Sequence, residues 1–278
     1  MRKLKNRVAI VTGASRGLGA YIARALDAEG MKLVLSARSF EELERQAEEI
    51  RANGGDAMAV KADVSRAPDR DALVNAAVAA FGSIDVLINN AGIEQTRHFD
   101  HLADDDIAQV IQVNLTSAMQ LARLVTPIML KKKSGHIVNM SSLAGKVPVP
   151  YSIPYAASKA GLIAFTESYR AEFGKRGVSA SVVCPGLVSD AGMYQDMKDQ
   201  AHIKENVLAG TVTPAKVASD VVKAIKKNRP EMLVYRGPGR IVSGLAEMTP
   251  GVFERVFPMF GTGKLFEGVA DVREKTGG

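Results

Sequence analysis

Seven short apolar runs rich in β-branched residues alternate with longer stretches of helical period along this chain, and no other feature constrains its fold as tightly. The runs are Arg7 to Thr12, Met31 to Ser36, Asp56 to Lys61, Ile84 to Ile88, His136 to Met140, Val178 to Val183 and Met232 to Tyr235. Each reads as a buried strand. Helical stretches fall near residues 17–29, 40–53, 69–81, 104–131, 153–174 and 215–228, several opened by Ser, Asp or Pro or closed by Gly. Such alternation builds a mostly parallel sheet with helices on both faces, and the right-handed crossover rule then predicts a single doubly wound α/β domain of about seven strands. That domain takes residues 1–236 and leaves 237–278 as an apolar, helical C-terminal extension.

Composition removes several classes of function. Lys plus Arg number 36 against 30 for Asp plus Glu, a mild excess of +6 whose basic residues are dispersed, and with aromatics at 5% no stacking platform for nucleic acid is expected. The single cysteine, Cys184, excludes an intramolecular disulfide and a zinc cluster of two or more thiolates; it fits a reducing, cytoplasmic setting and reads as a buried small residue rather than a reactive thiol. No stretch reaches the run of about 18 apolar residues that a membrane span needs, and the basic start Met1-Arg-Lys-Leu-Lys lacks a signal peptide's apolar region. His98-Phe99-Asp100-His101 reads as exposed, so no metal site is expected. Lys131-Lys132-Lys133 reads as a solvated helix end, where cations complement the helix dipole.

The first strand runs into Thr12-Gly13-Ala14-Ser15-Arg16-Gly17-Leu18-Gly19 and then directly into a helix. The glycines permit a tight turn and close backbone approach, so that free amides at the helix start face a pyrophosphate. At the end of the second strand, where an acidic residue normally meets the ribose 2′-hydroxyl of NAD, stands Ala37 followed by Arg38. Arg38 and Arg16 together would grip a 2′-phosphate by charge-assisted bonds, which favours NADP(H). After the third strand, Asp63 and Val64 are placed to contact adenine through a carboxylate and a backbone amide.

Tyr155 and Lys159 lie four apart at the front of a helix and so share one face. A phenol with a pKa near 10 needs a neighbouring cation to work as an acid or base at neutral pH, and Lys159 can supply it. Thirteen residues before Tyr155, Ser142 ends the fifth strand, the end at which open α/β sheets bind ligands. Its hydroxyl can hydrogen-bond a carbonyl oxygen; with no Gly-x-Ser-x-Gly elbow it does not read as an acyl-transfer nucleophile. Asn114 adds a polar group that either holds a water or distorts its helix.

These motifs, with Asn89-Asn90-Ala91-Gly92 and Pro185-Gly186, stand in the order and at the spacing of the short-chain dehydrogenase/reductase family, which the chain resembles from about residue 5 to residue 235. The resemblance implies a Rossmann-like fold and hydride exchange between a nicotinamide cofactor and a ketone or aldehyde, or its alcohol. It implies Tyr155 as acid in reduction and base in oxidation, Ser142 as carbonyl orienter, Lys159 as ribose binder and tuner of Tyr155, and Asn114 as holder of a relay water. Asn90, Ala91 and Gly92 would support the cofactor, as would Pro185, Gly186 and Val188. Where many members then carry a threonine near the nicotinamide amide this chain has Ser189-Asp190, which leaves that contact to one or the other. A homotetramer or homodimer packed through the 114–131 and 153–174 helices is also implied. The competing class, a non-catalytic cofactor-binding sensor or scaffold, is opposed by intact Asn114, Ser142, Tyr155 and Lys159.

Residues 187–212, with Met193, Tyr194 and Met197, fall where the family places a substrate lid, and Asp196, Lys198 and Asp199 keep part of that segment wet. Beyond Gly237, apolar residues from Ile241 to Phe260 recur at helical spacing, cut by Pro250 and Pro258. This tail either packs on the domain or a sister subunit, covers the substrate cleft, or forms a peripheral membrane foot. The last two would favour a hydrophobic or acyl-type carbonyl substrate.

Overall fold

The computed structural model describes residues 3–190, 192–201, 210–236 and 262–276, with positions 244, 248, 249 and 251 standing alone. All seven expected strands form: β1 (Val8–Thr12), β2 (Lys32–Ala37), β3 (Asp56–Lys61), β4 (Val86–Asn89), β5 (Gly135–Met140), β6 (Val178–Pro185) and β7 (Glu231–Val234). They make one parallel sheet in the order β3-β2-β1-β4-β5-β6-β7. Chain order reverses between β1 and β4, and a crevice opens there above the carboxyl ends of both strands. Successive residues of β1 point to opposite faces: Ala9 and Val11 join one apolar layer, and Val8 and Ile10 the other.

The first layer is closed by α1 (Gly17–Asp27), α2 (Phe40–Ala52) and α8 (Pro214–Lys227), through Ile22, Leu26, Leu43, Val217 and Ile225. The second is closed by α3 (Ala67–Phe81), α5 (Ser117–Lys131) and α6 (Ile153–Phe173), through Leu73, Leu121, Val125, Met129 and Tyr169. Near-continuous Val, Leu and Ile in the central strands is what burial on both faces demands. Among the described residues no helix is long and apolar enough to cross a membrane.

Two expectations need refinement. Residues 104–131 are helical throughout but not one regular α-helix: α4 (Asp104–Ile111) passes into a π-helical turn over Gln112–Thr116 before α5 begins. The cause is Asn114, whose side chain leaves the helix to bind the Ile93 backbone on both sides, at 2.8 Å each. Nor is Lys131-Lys132-Lys133 wholly solvated, since Lys132 Nζ lies 2.5 Å from the buried carboxylate of Asp85, which also holds Arg7 and the Val8 amide. These bonds outweigh burial and hold Asp85 below the usual carboxylate range.

Two further helices stand beside the crevice. Helix α7 (Met193–Ala201) lies within the 187–212 link and α9 (Thr262–Thr276) within the extension, and Tyr194 and Met197 of the one pack on Leu265, Phe266 and Val269 of the other. The helical spacing read between Ile241 and Phe260 lies outside the described residues.

Candidate active site

The crevice over β1 and β4 encloses about 660 Å³. On its nucleotide side Gly13 turns at φ +63°, and a Cβ there would meet Ala91 Cα at 2.9 Å; at Gly19, buried beneath the loop, a Cβ would strike the Gly13 carbonyl. The loop is sewn to the Asn-Asn-Ala-Gly turn. Thr12 Oγ1 accepts from the Asn90 and Ala91 amides, both at 3.0 Å, and Asn90 Nδ2 donates back to the Thr12 and Gly13 carbonyls. No side chain caps α1, so its first amides remain available to an anion.

Of the residues singled out from the sequence, Gly13, Ser15, Arg16, Gly17, Leu18, Arg38, Asp63, Val64, Asn90, Ala91 and Gly92 line this crevice, as do Ser142, Tyr155, Lys159, Pro185, Gly186 and Val188. Gly19 and Asn114 lie behind its wall. Neither Ser189 nor Asp190 lines it; the Ser189 amide and hydroxyl are tied to the Val212 carbonyl. Asp63 is oriented by Ser65, whose amide and hydroxyl both donate to it. Burial opposes its charge, but those bonds and the Arg38 and Arg66 guanidiniums keep its pKa low. Arg16 pairs with Asp196 of α7 at 3.0 Å, and its side chain stays largely exposed. Ser36, at the end of β2, presents a buried hydroxyl with no protein partner.

On the chemical side, β5 delivers Ser142 and the first turn of α6 delivers Tyr155. Tyr155 is half-buried on the crevice wall; burial pushes its hydroxyl up to about 12, opposed by the Ser142 hydroxyl and reinforced by the Glu94 charge. Lys159, 4% exposed, is depressed to about 8 by burial. Helix and strand are locked together there: Ser141 Oγ donates to the Lys159 carbonyl at 2.8 Å, and Asn114 Nδ2 donates to Ser158 Oγ at 3.1 Å. A sheet-end crevice with a phosphate-type loop at one side and a Ser, Tyr and Lys cluster at the other is suited to hydride and proton exchange at a carbonyl.

Residues 7–202 match the model of the short chain dehydrogenase family. The chain belongs to that family. This short-chain dehydrogenase is therefore an oxidoreductase. It is 41% identical over 282 aligned residues, all of this chain and 97% of the relative, to the ketoacyl reductase HetN of Nostoc sp. (strain PCC 7120). Its structure is similar to a variant of actinorhodin polyketide ketoreductase solved with NADPH, at a TM-score of 0.78 and 31% identity over 84% of this chain and 98% of the other. A Burkholderia phymatum family member solved with NAD gives 0.76 and 29%, over 84% of this chain and 90% of the other.

The crevice of the short-chain dehydrogenase is also lined by residues that the motifs did not point to. Glu94, Val147, Val149 and Ser152 line the crevice beside Met193, Tyr194 and Met197, and Phe266 reaches it from α9. Cys184 is fully buried, and burial pushes its thiol up to about 12. His98 and His101 pair with Asp271 and Glu274 of α9 at 3.1 and 2.8 Å. Only the tail's apolar character hinted that any of it would reach the site.

Proposed function

We propose that this short-chain dehydrogenase is an NADP(H)-dependent reductase of acyl-type ketones, with Tyr155 as its acid. One observation carries the reading: Ser142, Tyr155 and Lys159 converge in the same crevice as an uncapped Gly-rich helix start with Arg38 at its rim. The crevice fits the cofactor. Side chains at Gly13 and Gly19 would close the loop, and the orphan Ser36 hydroxyl lacks a partner that a ribose or phosphate oxygen would provide. Gly13 to Leu18 would hold the pyrophosphate, Arg38 the 2′-phosphate, Asp63 and Val64 the adenine, and Lys159 the nicotinamide ribose. When bound, the cofactor supplies the hydride to the carbonyl carbon or, oxidised, accepts it and brings a positive charge beside Tyr155.

The protein's part is orientation and the proton. Ser142 Oγ, fixed by the Ala144 amide at 3.1 Å, orients the carbonyl oxygen, and Tyr155 gives that oxygen its proton. The phenolate left behind is stabilised by the Lys159 ammonium. Asn114 is 1% exposed with both ends of its amide bonded to protein, so its side chain holds Ile93 and the front of α6. Pairing through α5 and α6 into a dimer or tetramer, and a cytoplasmic location, complete the reading.

Steady-state turnover with NADPH and NADH side by side, on β-ketoacyl thioesters and simple β-keto esters, tests it. Turnover with NADPH that is higher for the acyl thioesters is expected. Activity with NADH alone would overturn the cofactor, and none with either would favour a sensor.

A further inference from the structure

We propose that Arg273 and Glu94 are positioning residues for this chemistry, forming with Thr96 and Ser152 a buried polar chain by which α9 sets the first turn of α6 and its Tyr155. The proposal rests on the reading of Tyr155 as the acid. Arg273 Nη2 meets Glu94 Oε1 at 2.6 Å, with the two side chains only 16% and 10% exposed. The other carboxylate oxygen accepts from Thr96 Oγ1 at 2.6 Å, and Thr96 Oγ1 lies 2.7 Å from Ser152 Oγ. A threonine hydroxyl has one proton, and the carboxylate takes it. Ser152 must then donate to Thr96, and the chain runs Ser152 to Thr96 to Glu94, closed by Arg273.

Ser152 is the N-cap of α6, and its carbonyl accepts the first helical bond from Ala156. A serine there ordinarily caps the helix with its hydroxyl, but this one makes no cap bond and turns to Thr96 instead. The residue before it, Tyr151, is held at φ +64°, a left-handed conformation that a bulky side chain resists, and its carbonyl accepts from the Arg97 amide at 2.9 Å. The turn that launches Tyr155 is thus strained, gives up its own cap and is held by residues 94–97. Thr96 and Ser152 are 0% and 2% exposed, so no water substitutes for a lost partner. Around Tyr155 stand Lys159 on its own helix, Cys184 on β6, neutral at working pH, and Glu94, whose negative charge opposes a phenolate. Arg273 offsets that charge.

The test is the pH profile of alcohol oxidation, whose acidic limb requires the Tyr155 phenolate, measured for Arg273→Met, Arg273→Lys, Glu94→Gln and the Glu94→Gln/Arg273→Met double variant. NADPH affinity serves as the check on folding. Arg273→Met is expected to lower kcat about tenfold with KM little changed and to move the limb to higher pH, Arg273→Lys to restore most of both, and the double variant to return the limb. Glu94→Gln alone, which keeps an acceptor for Thr96, moves the limb to lower pH and decides the matter if Arg273→Met does not fold. An unmoved limb in Glu94→Gln, or losses that multiply in the double variant, would reduce α9 to a packing element. Full activity in Tyr155→Phe would instead remove the underlying reading, and is seen in that variant alone.

Discussion

The Lys159 ammonium donates to the Met140 carbonyl at 2.8 Å and stands 5.4 Å from the centre of the Tyr155 ring. A strand end and a helix face thereby place one cation against one phenol. Burial is the largest cause that raises Tyr155 and depresses Lys159, so each group is poorly suited to its task without the other. Tyr155→Phe is expected to lower kcat by about 10²–10⁴-fold, the range of a lost acid-base group, with NADPH affinity unchanged.

The same pair fixes the alkaline behaviour. Lys159 loses its charge as pH rises through about 8, so kcat/KM for reduction should fall above that pH. Lys159→Arg keeps a cation that does not titrate there, and if it remains active its profile should stay flat beyond pH 9. A wild-type profile that is itself flat to pH 10 would dissociate Lys159 from the reaction.

If Arg38 holds the 2′-phosphate as proposed, cofactor choice depends on its guanidinium, which lines the crevice. Arg38→Ala is expected to weaken NADPH by about 10- to 100-fold, the worth of a hydrogen bond to a charged group, and to leave NADH unaffected. Fluorescence titration with both nucleotides measures the difference. Equal losses would show that Arg38 does not contact the 2′-phosphate.

Phe266 reaches the crevice from α9 and packs beside Tyr194 and Met197. Phe266→Ala should raise kcat/KM for long relative to short acyl ketones by about tenfold, since a pocket discriminates about that much per methylene. Phe266 is half-buried, so the loss in stability should fall below the roughly 3–5 kcal/mol of a fully buried Phe→Ala. Chain-length selectivity and thermal unfolding of the one variant check both statements.

What was legible in the sequence is what is local in it. The strands announce themselves by β-branched runs, the Gly-rich loop carries strand, turn and helix within a dozen residues, and Tyr155 and Lys159 share a face by spacing alone. The contact of Arg273 with Glu94 spans 179 residues and depends on how the tail returns across the crevice, which no periodicity encodes. The π-turn at Asn114 was half legible: the residue type suggested a distortion, but the Ile93 backbone that causes it comes from another element. The pairing of Arg16 with Asp196 on α7 was not legible, because it joins residues 180 apart. Ser142 hid nothing, because the end of a strand fixes where a side chain points.

His136, 1% exposed within β5, is expected to make the fold sensitive to acid. Its Nε2 lies 2.8 Å from Ser181 Oγ, whose own proton goes to the Arg229 carbonyl, so the ring must donate from Nε2. Burial holds its pKa near 3, below the ordinary 6.5. Below pH 6.5 the unfolded chain binds a proton that the native chain refuses until about pH 3, so stability falls with pH across that window, by up to about 1.4 kcal/mol per unit. Asp85, buried and held low by its bonds to Lys132, Val8 and Arg7, acts in the same direction but only below the ordinary carboxylate value of 3.8. Urea unfolding at pH 7, 5 and 4 should therefore show a steady loss. His136→Gln, whose amide keeps a donor for Ser181, should be less stable at pH 7 yet nearly independent of pH from 6 to 4; an equal slope in both proteins would place the acid sensitivity elsewhere.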